Sequence, residues 1–143
     1  MAGSIRVCAD VLREMLVHAR REPAIECCGL LAGREGVVTV VFPATNALAS
    51  PTAYEIAPRE LFRLFRQMRA EGVEHLGIYH SHPSSENVPS ARDVDQAYYS
   101  RQAYFIISPK ADAPRPVRAF SIHDGSVREF EIVVFNPDEK NGG

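Results

Sequence analysis

Several features that would assign a function directly are scarce in this chain of 143 residues. It has no tryptophan, and its 5 tyrosines and 7 phenylalanines form no basic-aromatic stripe of the kind that binds single-stranded nucleic acid. Its 16 lysines and arginines nearly balance 18 aspartates and glutamates, so the net charge is −2 and general binding of polyanions is disfavoured. We therefore expect no nucleic-acid partner.

Long apolar runs are also missing. No segment approaches the roughly 18 uninterrupted apolar residues of a membrane span. The segment from Met1 to Val7 lacks the apolar core of a signal peptide. We expect no membrane association and a cytoplasmic location.

Cysteine is too rare to support a disulfide framework. There are 3 cysteines, and two of them, Cys27 and Cys28, are adjacent. Neighbouring cysteines do not form the Cys-x-x-Cys pair of zinc or redox sites. We interpret both as packing residues of a strand.

The length and composition suit one compact domain, because 45% of the residues are hydrophobic and 24% are charged. We predict a single domain over residues 1–135 and a flexible polar tail over residues 136–143. The tail ends in Gly-Gly, as ubiquitin-like sulfur carriers do. We reject that interpretation because the rest of the chain carries other signals.

Apolar periodicity and turn residues predict strands interspersed with helices. Strands are predicted at residues 4–7, 28–32, 37–42, 54–57, 76–82, 104–107, 117–122 and 127–135. Helices are predicted at 10–21 with Asp10 as cap, from Pro58 onward, and at 90–99. Residues 33–36 and Asp124-Gly125 are typical of hairpin turns. The predicted fold class is α/β, with a mixed β-sheet flanked by helices.

The predicted helix after Pro58 carries Arg63, Arg66 and Arg69 between apolar residues. An anionic partner would explain these arginines, but their spacing is more typical of the solvated face of an amphipathic helix. The apolar Phe62 and Phe65 on the same helix fit either a core or an interface, so the oligomeric state stays open.

Two histidines near the end of a predicted strand suggest a metal site. Side chains alternate sides along a strand, so His80 and His82 point the same way. Two imidazoles on one strand end are natural ligands for a divalent metal such as zinc. Pro83 then ends the strand beside a polar loop where a substrate can enter.

Asp93 can complete a site with three ligands. Ser90 is placed to cap a helix, with Asp93 one turn inside it, and this helix can bring the carboxylate to the imidazoles. Two nitrogens and one oxygen leave a fourth position for water, which is the catalytic pattern of zinc. Taken singly, each element also has a purely structural explanation, including a helix cap for Ser90 and Asp93.

The combination resembles the signature of the JAMM (MPN+) metalloproteases. His80-Ser81-His82-Pro83, then Ser90, then Asp93 match its order and spacing. An upstream glutamate belongs to this signature, and Glu26, followed by Cys27-Cys28-Gly29-Leu30-Leu31, fits its place. The resemblance covers residues 5–135 and implies the JAMM/MPN fold, with a cytidine-deaminase-like architecture.

The resemblance implies a role for each signature residue. His80, His82 and Asp93 would hold Zn²⁺, and Glu26 would act as general base and then general acid. Ser90 would donate a hydrogen bond to the bound water or the developing oxyanion. No covalent intermediate is needed.

Within the family, Glu-Cys-Cys-Gly-Leu-Leu-x-Gly resembles the small bacterial and archaeal members. The resemblance implies cleavage of a peptide or isopeptide bond after the C-terminal Gly-Gly of a ubiquitin-like sulfur-carrier protein or its conjugate.

Three other hypotheses are weaker. A metal-free binding scaffold with this fold would not need the complete set of signature residues. A RadC-type relative would carry a helical DNA-associated region, and the 25 residues before Glu26 have no room for it. A nucleoside deaminase would need His-x-Glu with a downstream Cys-x-x-Cys, and the sequence has neither.

Overall fold

The structure is a computed structural model, and it describes residues 3–137. The elements in chain order are β1 (Ser4–Cys8), α1 (Ala9–Arg21), β2 (Cys28–Arg34), β3 (Val37–Ala44), α2 (Pro58–Glu71), β4 (Glu74–Ser81), α3 (Ala91–Asp95), β5 (Ala103–Ile107), β6 (Val117–His123) and β7 (Ser126–Phe135). The tail predicted at 136–143 lies, from residue 138 onward, outside the described residues. The domain boundary at residue 135 stays a prediction.

The seven strands form a mixed sheet in the order β1-β3-β2-β4-β5-β6-β7, which closes on itself because β1 also pairs with β7. The β1–β3, β1–β7 and β4–β5 pairs are parallel, and the other pairs are antiparallel. The predicted mixed sheet with helices is confirmed. The closure of the sheet was not predicted, since it depends on pairing between the first strand and the last.

The longer helices are amphipathic, and each covers one face of the sheet. On α1 the buried residues are Val11, Met15 and Ala19, and on α2 they are Leu64 and Met68. Asp10 lies inside the first turn of α1 and does not cap it; the cap position is Cys8, which makes no side-chain cap bond. None of the helices within residues 3–137 is both long enough and apolar enough to cross a membrane.

The start and end of α2 follow from its sequence. Pro58 stands in its first turn, where a missing N–H costs nothing, and Gly72 ends it in the left-handed conformation at φ 69°. The predicted solvated face is confirmed, because Arg63, Arg66 and Arg69 are all exposed. Phe62 is also exposed, at 66%, so it is not a core residue.

Two hairpins close with two-residue turns that have positive φ at both positions. These turns are Glu35-Gly36 (54° and 75°) and Asp124-Gly125 (48° and 79°), which is the pattern of type I′ turns. The Asp124-Gly125 turn was predicted. The first turn is tighter than the predicted 33–36 connection, because Gly33 and Arg34 continue β2.

The sheet has one apolar cluster on each face. The α1 face contains Leu31, Tyr79 and Phe105, while the α2 face contains Leu30 and Ile78 among others. Consecutive residues of one strand therefore belong to different clusters, as the alternation of side chains requires. The sheet face covered by α2 is the one that carries the candidate site.

Candidate active site

The two predicted histidine ligands lie at the end of β4. His80 is in the strand and His82 follows it by one residue, with its backbone N–H still donating to the Ile107 carbonyl at 2.9 Å. The two residues are 1% and 3% exposed, and their Nε2 atoms are 3.1 Å apart. The predicted same-side arrangement of the two imidazoles is therefore present.

Asp93 reaches the histidines from the first turn of α3. Its Oδ1 lies 3.2 Å from His80 Nε2, and its Oδ2 lies 3.0 Å from His82 Nε2. Among the described residues, these three side chains form the one group of histidines, cysteines and acidic residues whose ligand atoms, one from each, lie within 4.8 Å of one another. The structure thus brings together the three residues predicted as metal ligands.

Ser90 orients the Asp93 carboxylate through a capping box. Its hydroxyl oxygen accepts from the Asp93 backbone N–H at 3.1 Å, and Asp93 Oδ2 accepts from the Ser90 N–H at 2.9 Å. The helix-cap explanation therefore holds for both residues, and it is compatible with a role in catalysis. The Ser90 hydroxyl is used here only as an acceptor, so its proton remains free to be donated.

The hydrogen bonds around the histidines fit a cation. His82 Nδ1 lies 2.7 Å from the Glu86 carbonyl, which can only accept, so this nitrogen carries a proton. In the neutral ring, Nε2 then presents a lone pair to His80 and Asp93, as in second-sphere support of a metal ligand. Two imidazole nitrogens and a carboxylate thus lie close together, and nitrogen and carboxylate donors suit zinc.

The same contacts shift the pKa values of these groups. Burial alone would raise the pKa of Asp93, but hydrogen bonds from the two histidines outweigh it and hold the pKa well below its usual value. Burial lowers the pKa of His80. For His82 burial acts in the same direction, but the hydrogen bonds to Asp93 and the Glu86 carbonyl, together with the charges of Asp93 and Glu26, outweigh it and the pKa rises.

Glu26 lies two residues before β2, which begins at Cys28 as predicted. It is only 4% exposed, and its Oε1 has no hydrogen-bond partner within residues 3–137. Burial raises its pKa to about 7; His82 opposes this shift and Asp93 adds to it, so the carboxylate lies within the electrostatic reach of both. It is not a member of the three-residue ligand group.

Asn46 was not predicted as a functional residue, yet it anchors Glu26. It is buried, and its Nδ2 donates to the carbonyls of Glu26 (3.0 Å) and Ala53 (2.9 Å). Its Oδ1 accepts from the backbone N–H groups of Leu48 and Glu55. In the sequence, an asparagine in a polar loop indicates no more than a turn.

The same loop explains why the predicted strand at 54–57 is wrong. The backbone groups of Glu55 are already used, since its N–H donates to Asn46 and its carbonyl accepts from Ala47 N–H at 2.8 Å. The segment is irregular. It places Tyr54 on the His80 ring, with centroids 4.6 Å apart and planes at 22°.

The predicted helix at 90–99 is also shorter than expected, because it ends at Asp95. The Tyr99 N–H donates to the Tyr104 hydroxyl of β5 at 2.8 Å. A side-chain contact with the next strand therefore replaces the helical hydrogen bond.

Cys27 and Cys28 are buried on opposite faces of the sheet, in the α1 and α2 clusters respectively. Burial raises the pKa of Cys27 to about 11 and that of Cys28 further. Both are therefore neutral thiols at physiological pH, as packing residues are. Neither belongs to the three-residue ligand group.

A sequence model of prokaryotic homologues of the JAB domain matches residues 8–123. The chain is 37% identical over 128 residues to the CysO-cysteine peptidase of Mycobacterium tuberculosis, covering 88% of each chain. It is 38% identical to the desampylase of Haloferax volcanii over 115 residues (76% of this chain, 83% of that protein). It is also 38% identical over 125 residues to the probable TtuB-protein conjugate cleaving protease of Thermus thermophilus (87% and 78%).

Solved structures show the same fold. The solution structure of protein DSY2949 from Desulfitobacterium hafniense matches with a TM-score of 0.81 at 36% identity, over 92% of this chain and 93% of that one. A structure described as "JAMM: A Metalloprotease-like Zinc Site in the Proteasome and Signalosome" matches with a TM-score of 0.59 at 17% identity, over 91% and 98%. The fold implied by the sequence resemblance is confirmed.

Proposed function

The chain belongs to the family of prokaryotic homologues of the JAB domain, and on this basis we propose that it is a zinc-dependent peptidase. The bond hydrolysed is a peptide or isopeptide bond after the C-terminal Gly-Gly of a ubiquitin-like or sulfur-carrier protein. Relatives at 37–38% identity are named for the cleavage of CysO-cysteine and of TtuB-protein conjugates. The observation that carries the proposal is the convergence of two imidazoles and a carboxylate beside a buried glutamate.

In this proposal His80, His82 and Asp93 hold the zinc ion. The donor set fits, because both Nε2 atoms and the Asp93 carboxylate oxygens lie close to one another, and the proton on His82 Nδ1 leaves Nε2 of the neutral ring available to the metal. When bound, zinc lowers the pKa of a coordinated water to about 7 and polarises the scissile carbonyl. The capping box of Ser90 holds the carboxylate in place through Oδ2, and Oδ1 takes no part in it.

Glu26 transfers the proton. Its pKa of about 7 gives it a substantial ionised fraction at neutral pH, so it can accept a proton from the attacking water. As the new C–O bond forms and the C–N bond breaks, the same group in its protonated form delivers that proton to the leaving amine. The unpartnered Oε1 is consistent with this role, since a carboxylate oxygen already used in a structural hydrogen bond would be a weaker base.

Ser90 supports the developing negative charge on the carbonyl oxygen. Its hydroxyl proton is free, because the cap uses only the oxygen as an acceptor. Removal of such a donor costs about 2.7–4 kcal/mol of transition-state stabilisation in other hydrolases.

The partner is a protein tail. The balanced charge of the chain disfavours binding of nucleic acid. The absence of a nucleic-acid partner stays a prediction. The cytoplasmic location also stays a prediction.

A direct experiment tests the proposal. Zinc-loaded protein is incubated with the sulfur-carrier proteins of its own host, each extended at the C-terminus by a few residues, and the products are analysed by mass spectrometry. We expect cleavage after Gly-Gly, and none with Glu26→Gln as a matched control. Intact carriers after prolonged incubation with zinc-loaded protein would refute the peptidase assignment.

A further inference from the structure

A cavity of about 220 Å³ lies beside the candidate metal ligands, between the sheet, α2 and the segment after α3. Leu61 and Ile78 contribute apolar surface to its lining, and Tyr54 and Tyr98 contribute aromatic surface. His80 and Asp93 also line it, so the cavity is continuous with the candidate site. We call it the tyrosine pocket.

The size of the tyrosine pocket limits its occupant. An apolar protein cavity of about 150 Å³ holds a benzene molecule, whereas pockets for drug-sized ligands occupy about 300–1,000 Å³. At about 220 Å³ the tyrosine pocket takes one large side chain and excludes a nucleotide or another extended cofactor.

The chemistry of the lining selects an apolar occupant. Its two charged side chains outside the metal cluster are Glu55 and Arg92, which have opposite signs and are both exposed. Charge therefore gives no net preference. The Tyr104 hydroxyl already accepts from the Tyr99 N–H, and the Tyr98 hydroxyl donates to Gln96. Most of the remaining lining is hydrocarbon and aromatic surface.

Tyr98 gives the pocket an open side. Its side chain is 74% exposed, and the hydrogen bond that the structure shows for its hydroxyl is local, to Gln96 two residues earlier at 2.8 Å. An aromatic side chain with this exposure gains apolar contact when a ligand covers it.

A diglycine tail cannot fill this pocket, since glycine has no side chain. The third residue before the scissile bond lies about 7 Å back along an extended chain, at roughly 3.4 Å per residue. The pocket, by contrast, reaches the candidate metal ligands themselves. The substrate residue closest to it, other than the glycines, is the one that carries the leaving amine.

We propose that, for substrates with a peptide bond after Gly-Gly, the tyrosine pocket binds the side chain of the residue released by cleavage, and that it selects an apolar or aromatic side chain there. This inference rests on the proposed peptidase function. It assigns substrate selection to the leaving side of the scissile bond, whereas the diglycine requirement acts on the other side.

The test uses synthetic peptides that share one carrier tail and end in Gly-Gly followed by leucine, phenylalanine, glycine or aspartate. For the zinc-loaded enzyme, kcat/KM is expected to be at least about tenfold higher with leucine or phenylalanine than with glycine. Tyr98→Ala is expected to reduce this ratio several-fold, and Tyr98→Phe to keep it. Phe62→Ala removes an aromatic residue of similar exposure that does not line the pocket, so it is the matched control and keeps the ratio.

Three results would overturn the subsite. These are equal kcat/KM values across the series, a preference that Tyr98→Ala leaves intact, and a preference set by the third residue before the scissile bond in a second series. Calorimetry with the same peptides and zinc-loaded Glu26→Gln gives their dissociation constants. The ratio of these constants is a second measure of the side-chain preference, independent of the chemical step. Cleavage of all peptides at one rate removes the subsite alone, while absence of cleavage in every peptide removes the peptidase function.

Discussion

The two faces of the sheet satisfy their buried polar groups differently, and neighbouring residues of β4 show this most clearly. Tyr79 points to the α1 face, where its hydroxyl forms a hydrogen bond with His18 Nδ1 at 2.7 Å; His18 Nε2 in turn donates to Glu22 at 2.7 Å. His80 points to the α2 face, and its Nδ1 has no hydrogen-bond partner in the part of the chain that the structure describes.

This difference between the two faces assigns the α1 face mainly to stability and the α2 face to function. Every side chain of the Tyr79–His18–Glu22 series is paired, so the α1 face loses little to unmet polar groups. At the candidate metal site, Glu26 Oε1 and His80 Nδ1 are buried and have no hydrogen-bond partner among residues 3–137, each at a cost of about 1–3 kcal/mol. Such costs persist at sites where a ligand or a reaction uses the group. Substitutions on the two faces should therefore change different measurable properties.

The largest expected effect is loss of the metal. His82→Ala and Asp93→Asn each remove one of three convergent donors, so zinc content should fall well below one per chain and hydrolysis by about 1,000-fold or more. Metal analysis and kcat/KM measure the two effects. Full zinc occupancy in either variant would contradict the ligand assignment.

Glu26→Gln should lower kcat by about 10²–10⁴ while zinc stays bound, because the amide cannot accept the proton. In the unsubstituted enzyme, kcat/KM should rise with pH as Glu26 ionises and then level, since the ionised form of Glu26 is the base. A variant that keeps its activity, or a profile that does not rise with pH, would remove Glu26 from this role.

A core truncation on the α1 face should lower stability and leave activity and zinc content nearly unchanged. Leu31→Ala removes a fully buried side chain, so the free energy of unfolding should fall by about 2–5 kcal/mol. At temperatures where the variant is folded, kcat/KM and zinc content should stay within about twofold. Denaturant unfolding and activity assays on one preparation make the comparison, and a large loss of kcat would show that the faces are coupled.

Asn46→Ala should affect both properties, since it leaves the Glu26 carbonyl and loop N–H groups unpaired. We expect a loss of about 1–3 kcal/mol in stability and a several-fold lower kcat with unchanged zinc content. Leu48→Ala, at an exposed position in the same loop, serves as the control and should change neither. Stability loss with an unchanged kcat would make Asn46 purely structural.

Tyr79→Phe should have the smallest effect. It removes one hydrogen bond while His18 keeps its partner Glu22, so the expected loss is about 1 kcal/mol in the free energy of unfolding. Activity should be unchanged, although Tyr79 precedes His80 directly. Thermal unfolding and kcat/KM are measured on the same preparation. A lower kcat/KM would contradict the prediction that Tyr79 contributes to stability alone.

The accuracy of sequence-based prediction depended on whether a feature was local. The His80–His82 pair follows from the two-residue period of a strand, and the Ser90–Asp93 capping box from the first turn of a helix. Both are present in the structure. The strand predicted at 54–57 and the helix predicted to 99 were wrong because side chains outside these segments, those of Asn46 and Tyr104, take the backbone hydrogen bonds of Glu55 and Tyr99.

The identity of the candidate metal ligands, their order and their spacing on one strand and one helix could be read from the sequence. The environment of these ligands follows from the tertiary structure. The burial that raises the pKa of Glu26 to about 7, its anchoring by Asn46, the closure of β1 on β7 and the tyrosine pocket beside His80 all depend on contacts between segments far apart in the chain. Burial and cavity shape are sums over many such contacts, and no local pattern encodes them.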